Sequence, residues 1–311
     1  AQTDMVPKAL WCSDNTLVFV YDDNTYQTGD SFTTGGTSYT VTTSYAVTPY
    51  KPAWVNGDDE PTTPVQNNTT KVIFADSYDT ARPTTTAQWF KDFVNLTKVV
   101  GIEYLHTDEV TSMEKMFSGC NNLEELDVSR WNTSKVINMG SLFSSCKKLK
   151  TLDVSKDVSN PDKWNTQNVR TLFRTFMYCV ALENLDVSGW KTDSVRNMQS
   201  TFDGDSELIA LDVSGWNTEK VTDMTATFRN CKNVDALDVS NWNTDNVTDM
   251  GHLFENCTVS KLDVSKWNRS GRLKNLHWTF KNCKNVEELN VSEWNTENVT
   301  DMQQLFCGCQ T

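Results

Sequence analysis

Histidine is almost absent. The chain has three in 311 residues, His106, His252 and His277, which read as far apart in the repeat with no shared partner. There is no H-E-x-x-H, no G-x-S-x-G and no phosphate-binding glycine loop, so the common metallohydrolase, serine-hydrolase and nucleotide-binding chemistries have no carrier. Basic residues are also short, 28 against 41 acidic, for a net charge of -13 and a pI near 4.7. Nucleic acid requires a basic footprint and is excluded as a partner, and an anionic membrane surface is disfavoured. No apolar run approaches the roughly 20 residues of a membrane-spanning helix, and no charged-then-apolar leader is present. A start at Ala1-Gln2-Thr3 suits a secreted chain whose leader was removed after a small residue.

What the sequence has instead is repetition. Aligned on cysteine, one phrase recurs at Cys120, Cys146, Cys179, Cys231, Cys257, Cys283 and Cys309, with Asp205 in the one vacant slot. The step is 26 residues except between Cys146 and Cys179, where it is 33 because eight residues, 156–163, precede Trp164 where other copies have one. A fixed period of this length is the signature of a solenoid. Within a copy, Leu237-Asp-Val-Ser240 alternates apolar and polar as a short strand does, whereas Met224, Phe228, Cys231 and Val234 fall at i, i+4, i+7 and i+10, one face of a helical return. One coil cannot bury its own apolar edge; stacked coils bury a continuous column.

The phrase V-x-x-M-x-x-x-F-x-x-C-x-x-L-x-x-L-D-V-S-x-W-N-T, as in Val136 to Asn165, resembles the 26-residue repeat of bacterial surface proteins, the BspA-like leucine-rich repeats. The resemblance covers roughly Val110 to the C-terminus. It implies a leucine-rich-repeat solenoid on a secreted or surface-anchored bacterial protein used for adhesion or ligand binding, and it supplies no ligand. The segment Ala81 to Leu105 also resembles the lead-in found before the repeats in this family.

The expected fold class is therefore an α/β repeat, a leucine-rich-repeat solenoid with parallel strands and short helical returns, capped N-terminally by a small β-rich segment. Residues 1–83 are assigned to the cap and 84–311 to about eight coils of 26 residues. In the cap, Ala9–Cys12 and Thr16–Tyr21 read as a hairpin, Ser38–Tyr45 and Lys71–Phe74 as strands and Asn56–Thr70 as a loop. Pro83 and the threonines after it read as the start of a helix running through Phe93. The apolar end of the first coil needs such a cover.

Seven tryptophans share one slot, Trp131, Trp164, Trp190, Trp216, Trp242, Trp267 and Trp294. They could form a sugar-stacking track, but large apolar residues at repeat spacing more often fill core volume. The in-frame cysteines read as a column of small buried hydrophobes whose thiols all point one way, a poor geometry for disulfides. A ladder of aspartates, Asp127, Asp153, Asp186, Asp212, Asp238 and Asp263, ending in Asn290, puts like charges about 5 Å apart. It lacks the converging oxygens and glycine turn of a calcium loop, so solvent or backbone N–H groups should offset the repulsion; no metal and no cofactor is expected.

Strand alternation places these aspartates on the same open face as the residue before each inward Leu: Glu125, Thr151, Asn184, Ala210, Ala236, Lys261 and Glu288. A constant acidic rail beside a variable row is what a recognition surface needs. The functional expectation is a secreted or cell-surface protein that binds an extracellular protein or glycan through this face and catalyses nothing. The competing readings are a glycan-binding or glycan-processing surface protein with a site where cap meets solenoid, and a structural spacer. Carboxylate pairs can hydrolyse glycosides without histidine, but regular ladders offer no distinct acid.

Overall fold

A computed structural model describes residues 4–310, so Ala1-Gln2-Thr3 and Thr311 lie outside the described residues. The N-terminal region forms a six-stranded sheet in the order β3-β4-β1-β2-β5-β6. β1 (Val6–Cys12) and β2 (Thr16–Asp22) make the expected antiparallel hairpin, and β4 (Thr37–Ala46) pairs antiparallel with β1 on its other side. β3 (Ser31–Thr34), not anticipated from the sequence, turns back onto β4. β5 (Lys71–Phe74) and β6 (Lys98–Val100) then add in parallel to β2. This sheet therefore ends on two strands with the direction that the repeats use.

The segment read as a loop is anchored at both ends. Residues Pro64–Asn68 form a short helix, α1, with Thr63 and Gln66 as a reciprocal capping box. Asp58 receives Lys91 and Lys115, whose hydrogen bonds hold its carboxyl down at about 2. The expected helix from Pro83 through Phe93 does not form. Gln88 and Asp92 have positive φ, and the N–H groups of Gln88, Phe90 and Asp92 go to Glu114, Met116 and Ser118 in the next coil.

The same holds in every repeat and corrects the fold class: the coils have no helical returns. From Met224 onward, alternate N–H groups (Met224, Ala226, Phe228, Asn230) donate to Asp249, Gly251, Leu253 and Glu255 of the next coil at 2.8–3.0 Å. The intervening Thr227, Arg229 and Cys231 donate three residues back at 3.2 Å. Ala226 and Asn230 sit in the left-handed region, φ 53° and 61°, as do Ser200 with Gly204, His252 with Asn256 and Trp278 with Asn282. A left-handed residue every fourth position returns Met224, Phe228 and Cys231 to the inside, so the apolar spacing imitates a helix. Each non-glycine in that region costs about 1–2 kcal/mol; the cross-coil hydrogen bond made by its own N–H offsets part of it.

Beyond β6, extended strands are also missing from the repeats among the described residues. Parallel pairing is confined to single-residue bridges. One ladder runs from Thr85 through Ser112, Asn138, Thr171, Asn197, Asp223, Asp249 and Asn275 to Asp301; a broken one links Thr151, Asn184 and Ala210, then Ala236 and Lys261. Side chains account for the shortness. In each coil an Asp or Asn oxygen captures the N–H two residues on at two or three places, as at Asp212–Ser214, Asn217–Glu219 and Asp223–Thr225, which turns the chain before a strand can extend.

The core is a set of columns. Phenylalanines from Phe117 to Phe306 stack at 5.7–6.1 Å between centroids and tryptophans from Trp131 to Trp294 at 6.0–6.4 Å. All seven tryptophans of the slot are buried, which removes the sugar-track reading of that ladder. All nine cysteines are free. In the column, each thiol donates to the carbonyl of the phenylalanine one coil back, as Cys231 does to Phe202 at 3.2 Å. The insertion at 156–163 loops out, leaving Trp164 fully buried and Val158 almost fully exposed.

Candidate interaction surface

The Leu-Asp-Val-Ser segment turns its Leu and Val inward and its Asp outward. Each Asp of the ladder uses Oδ1 to accept from both the N–H and the hydroxyl of the Ser two residues later, at 3.0–3.1 Å and 2.6–2.7 Å, from Asp127–Ser129 to Asp263–Ser265. Asn290 does the same with Ser292. These bonds stabilise the ionised form. Asp127, Asp212 and Asp263 are held below the usual carboxylate range chiefly by their serine hydroxyls. For Asp153, burial pulls upward but is outweighed by Ser155 and Lys163. Repulsion from Asp153 is the weakest influence on Asp127, which its own two serine donors hold in the ionised form.

All thirteen residues singled out from the sequence are exposed along this face: Glu125, Thr151, Asn184, Ala210, Ala236, Lys261 and Glu288, with Asp127, Asp153, Asp186, Asp212, Asp238 and Asp263. Thr151, Asn184 and Ala210 are in direct bridge register, as are Ala236 and Lys261; Ala210 and Ala236 are not bridged. Two open grooves lie on the face. One runs over Glu125, Thr151 and Asn184 and their aspartates, the other over Lys261, Asp263 and Glu288.

The sequence reading missed a second cluster. His252 and His277, expected to be separate, stand on adjacent coils with ring centroids 5.2 Å apart, and Trp278 packs against both. Glu255 accepts from His252 at 2.7 Å, and Lys281 lies 3.2 Å over the Trp278 ring. The signal was their separation of 25 residues, nearly one coil, hidden because the two occupy slots one apart. Among the described residues no group of three or more His, Cys, Asp or Glu is placed to hold a metal ion, and no helix is long and apolar enough to cross a membrane.

Residues 65–181, 151–267 and 222–311 match, in overlapping spans, a family described as Mycoplasma protein of unknown function, DUF285. No curated protein matches the chain. Among known structures, a leucine-rich repeat protein from Bacteroides ovatus is similar with 12% identity and a TM-score of 0.44, over 92% of this chain and 75% of that one.

Proposed function

The chain belongs to the DUF285 family, and within it we propose a secreted or cell-surface binding protein of the BspA-like leucine-rich-repeat kind, a solenoid that recognises an extracellular macromolecule through the aspartate face and performs no catalysis. The observation that carries this reading is the pairing of two exposed rows with different rules. The aspartates repeat from coil to coil, each bonded by its serine, and at Asp212 the serine hydroxyl is the largest influence favouring the ionised form. The neighbouring row changes from Glu125 through Ala210 to Glu288 while remaining exposed throughout. A common field attracts and the variable row discriminates. The acidic rail favours a partner with a cationic surface.

The test replaces Asn184, Ala210 and Ala236 together with Arg. All three are exposed, so the fold should survive, as circular dichroism and urea denaturation would show. Binding to a partner captured from an extracellular-matrix protein array should weaken at least about tenfold, near 1.4 kcal/mol. Unchanged affinity in the folded triple variant would remove the face from recognition.

A further inference from the structure

Counting one coil back from Glu125 reaches Lys98 of β6, and one more reaches Lys71 of β5, in steps of 27 residues each. The two lysines are paired in direct register. Like charges directly opposite on neighbouring strands repel, and neither ammonium makes an ion pair among the described residues, in a chain whose net charge is -13. The Lys71 ammonium lies 5.3 Å over the Tyr39 ring and 3.5 Å from its hydroxyl. Lys98 is exposed and its side chain has no partner among the described residues.

Both lysines line a groove of about 480 Å³ between β5–β6 and the turn that joins β3 to β4, a size that suits a small organic ligand. Side chains alternate along these strands. Val72 and Val99 pack into the main core, whereas Ile73 joins a second apolar cluster with Tyr39, Leu10, Val18 and Val20 on the opposite face of the sheet. Ile73, Tyr39 and Val100, which is 38% exposed, give the groove an apolar middle. Its other end is acidic. Asp76 follows β5 and Glu103 follows β6; both are exposed and both line the groove. Asp76 commits Oδ1 to the Ser77 N–H at 2.9 Å, leaving Oδ2, and the Glu103 side chain has no partner among the described residues. Along the strand direction the groove therefore runs from two ammonium groups, over an apolar floor, to two carboxylates.

A simple anion would leave the carboxylates unmet, and a simple cation would leave the lysines. A free amino acid carries both charges on one carbon and cannot reach both ends, since Lys71 and Asp76 are separated by up to about 16 Å of extended chain. A peptide of three residues spans about 10 Å, and the lysine and carboxylate side chains close the remainder. We propose that this groove binds a short zwitterionic peptide with apolar side chains. Its C-terminal carboxylate sits between Lys71 and Lys98, its N-terminal ammonium meets Asp76 and Glu103, and its middle covers Ile73 and Val100. None of the thirteen positions of the aspartate face lines the groove, and the proposal stands without that reading.

The chain has four isoleucines, Ile73, Ile102, Ile137 and Ile209, so isoleucine-methyl ¹³C labelling of the full chain gives an NMR signal in the groove, assigned through Ile73→Val. The peptide Ala-Leu-Phe is titrated to about 10 mM, beside its N-acetyl form, its C-terminal amide, free leucine and sodium acetate. The expected result is a saturable shift of the Ile73 methyl with Ala-Leu-Phe while Ile137 and Ile209 stay in place, with each blocked peptide binding about tenfold more weakly. Lys98→Gln should bind the free peptide about tenfold more weakly and no longer prefer it to the amide; Glu103→Gln should no longer prefer it to the N-acetyl form. Both positions are exposed, and unmoved Ile137 and Ile209 signals would show that the variants are folded. No saturable Ile73 shift with Ala-Leu-Phe overturns the proposal. So does leucine or acetate binding as tightly as the tripeptide, blocked peptides binding as the free one does, or folded variants that keep both preferences.

Discussion

Replacing Asp205 by Cys should stabilise the protein, and increasingly so as pH rises. Asp205 occupies the slot that holds cysteine in its neighbours and is completely buried. Oδ1 accepts the N–H of Cys179 at 2.8 Å, but Oδ2 has no partner. Burial first, and then the charge of Asp203, push this carboxyl well above its ordinary 3.8, against the pull of the Cys179 N–H. A folded pKa above the unfolded one means that the native state holds the extra proton. The favourable contribution is complete below 3.8 and is lost at about 1.4 kcal/mol per pH unit up to the folded pKa. A cysteine carries no such penalty, since burial raises the column thiols and keeps them neutral. By register it would donate to the Phe176 carbonyl, as Cys179 does to Phe143 and Cys231 to Phe202. The Cys179 N–H would retain its bond to Phe176 at 3.0 Å. Urea denaturation of both proteins at about pH 4.5 and about pH 5.5 should show the advantage of Asp205→Cys growing by about 1.4 kcal/mol, with m unchanged. An advantage independent of pH, or a less stable variant at the higher pH, would refute the argument that a buried acid is held protonated there.

Trp216→Ala should cost about 3–5 kcal/mol by urea denaturation, because its ring is stacked between Trp190 and Trp242 at 6.3 and 6.4 Å and its N–H holds the Val187 carbonyl; a loss under about 1 kcal/mol would contradict its core role. Ser214→Ala should raise the Asp212 pKa toward its ordinary value, as the hydroxyl bond is the largest influence lowering it. Carboxyl-carbon NMR titration would show the midpoint move up, and an unmoved midpoint would mean that the N–H bond alone keeps the rail ionised.

The columns were legible because packing repeats with the sequence: Phe, Cys, Trp, Leu and Val return at a fixed slot and are buried until the C-terminal end, where Phe306 is exposed and Leu289, Val291 and Cys309 are half-buried. The path between them was not legible. Spacings of four and three residues fit a helix, and Met224, Phe228 and Cys231 show no other face. What decides the conformation is the residue at the left-handed position, and this is Ser200, Ala226, His252 or Trp278 as readily as glycine. Those side chains give no turn signal of their own. The preference lies in the next coil, whose carbonyl takes the N–H that a left-handed residue presents, so a local reading of propensity could not see it.

The exposed aspartate face was readable because strand alternation decides it within four residues, but the charges behind it required a different alignment. Read along the chain, Asp203, Arg229, Glu255 and Lys281 are scattered; read by slot, each follows the column phenylalanine and the signs alternate from coil to coil. The geometry follows the alternation. Arg229 grips the fully buried Asp203 with Nε and Nη2, and Lys281 reaches Glu255 at 3.6 Å. The asparagines one slot later run as a parallel ladder, Asn282 to Asn256 and Asn256 to Asn230, each at 2.8 Å. Asn230 in turn approaches Asp203. Because stacked coils bring residue i beside residue i+26, a charge in this slot meets its counterpart one period away before it meets a sequence neighbour. Pairing rules for such a chain are therefore written between copies of the repeat, and the Asp203–Arg229 and Glu255–Lys281 pairs could have been named by applying that rule to a single column.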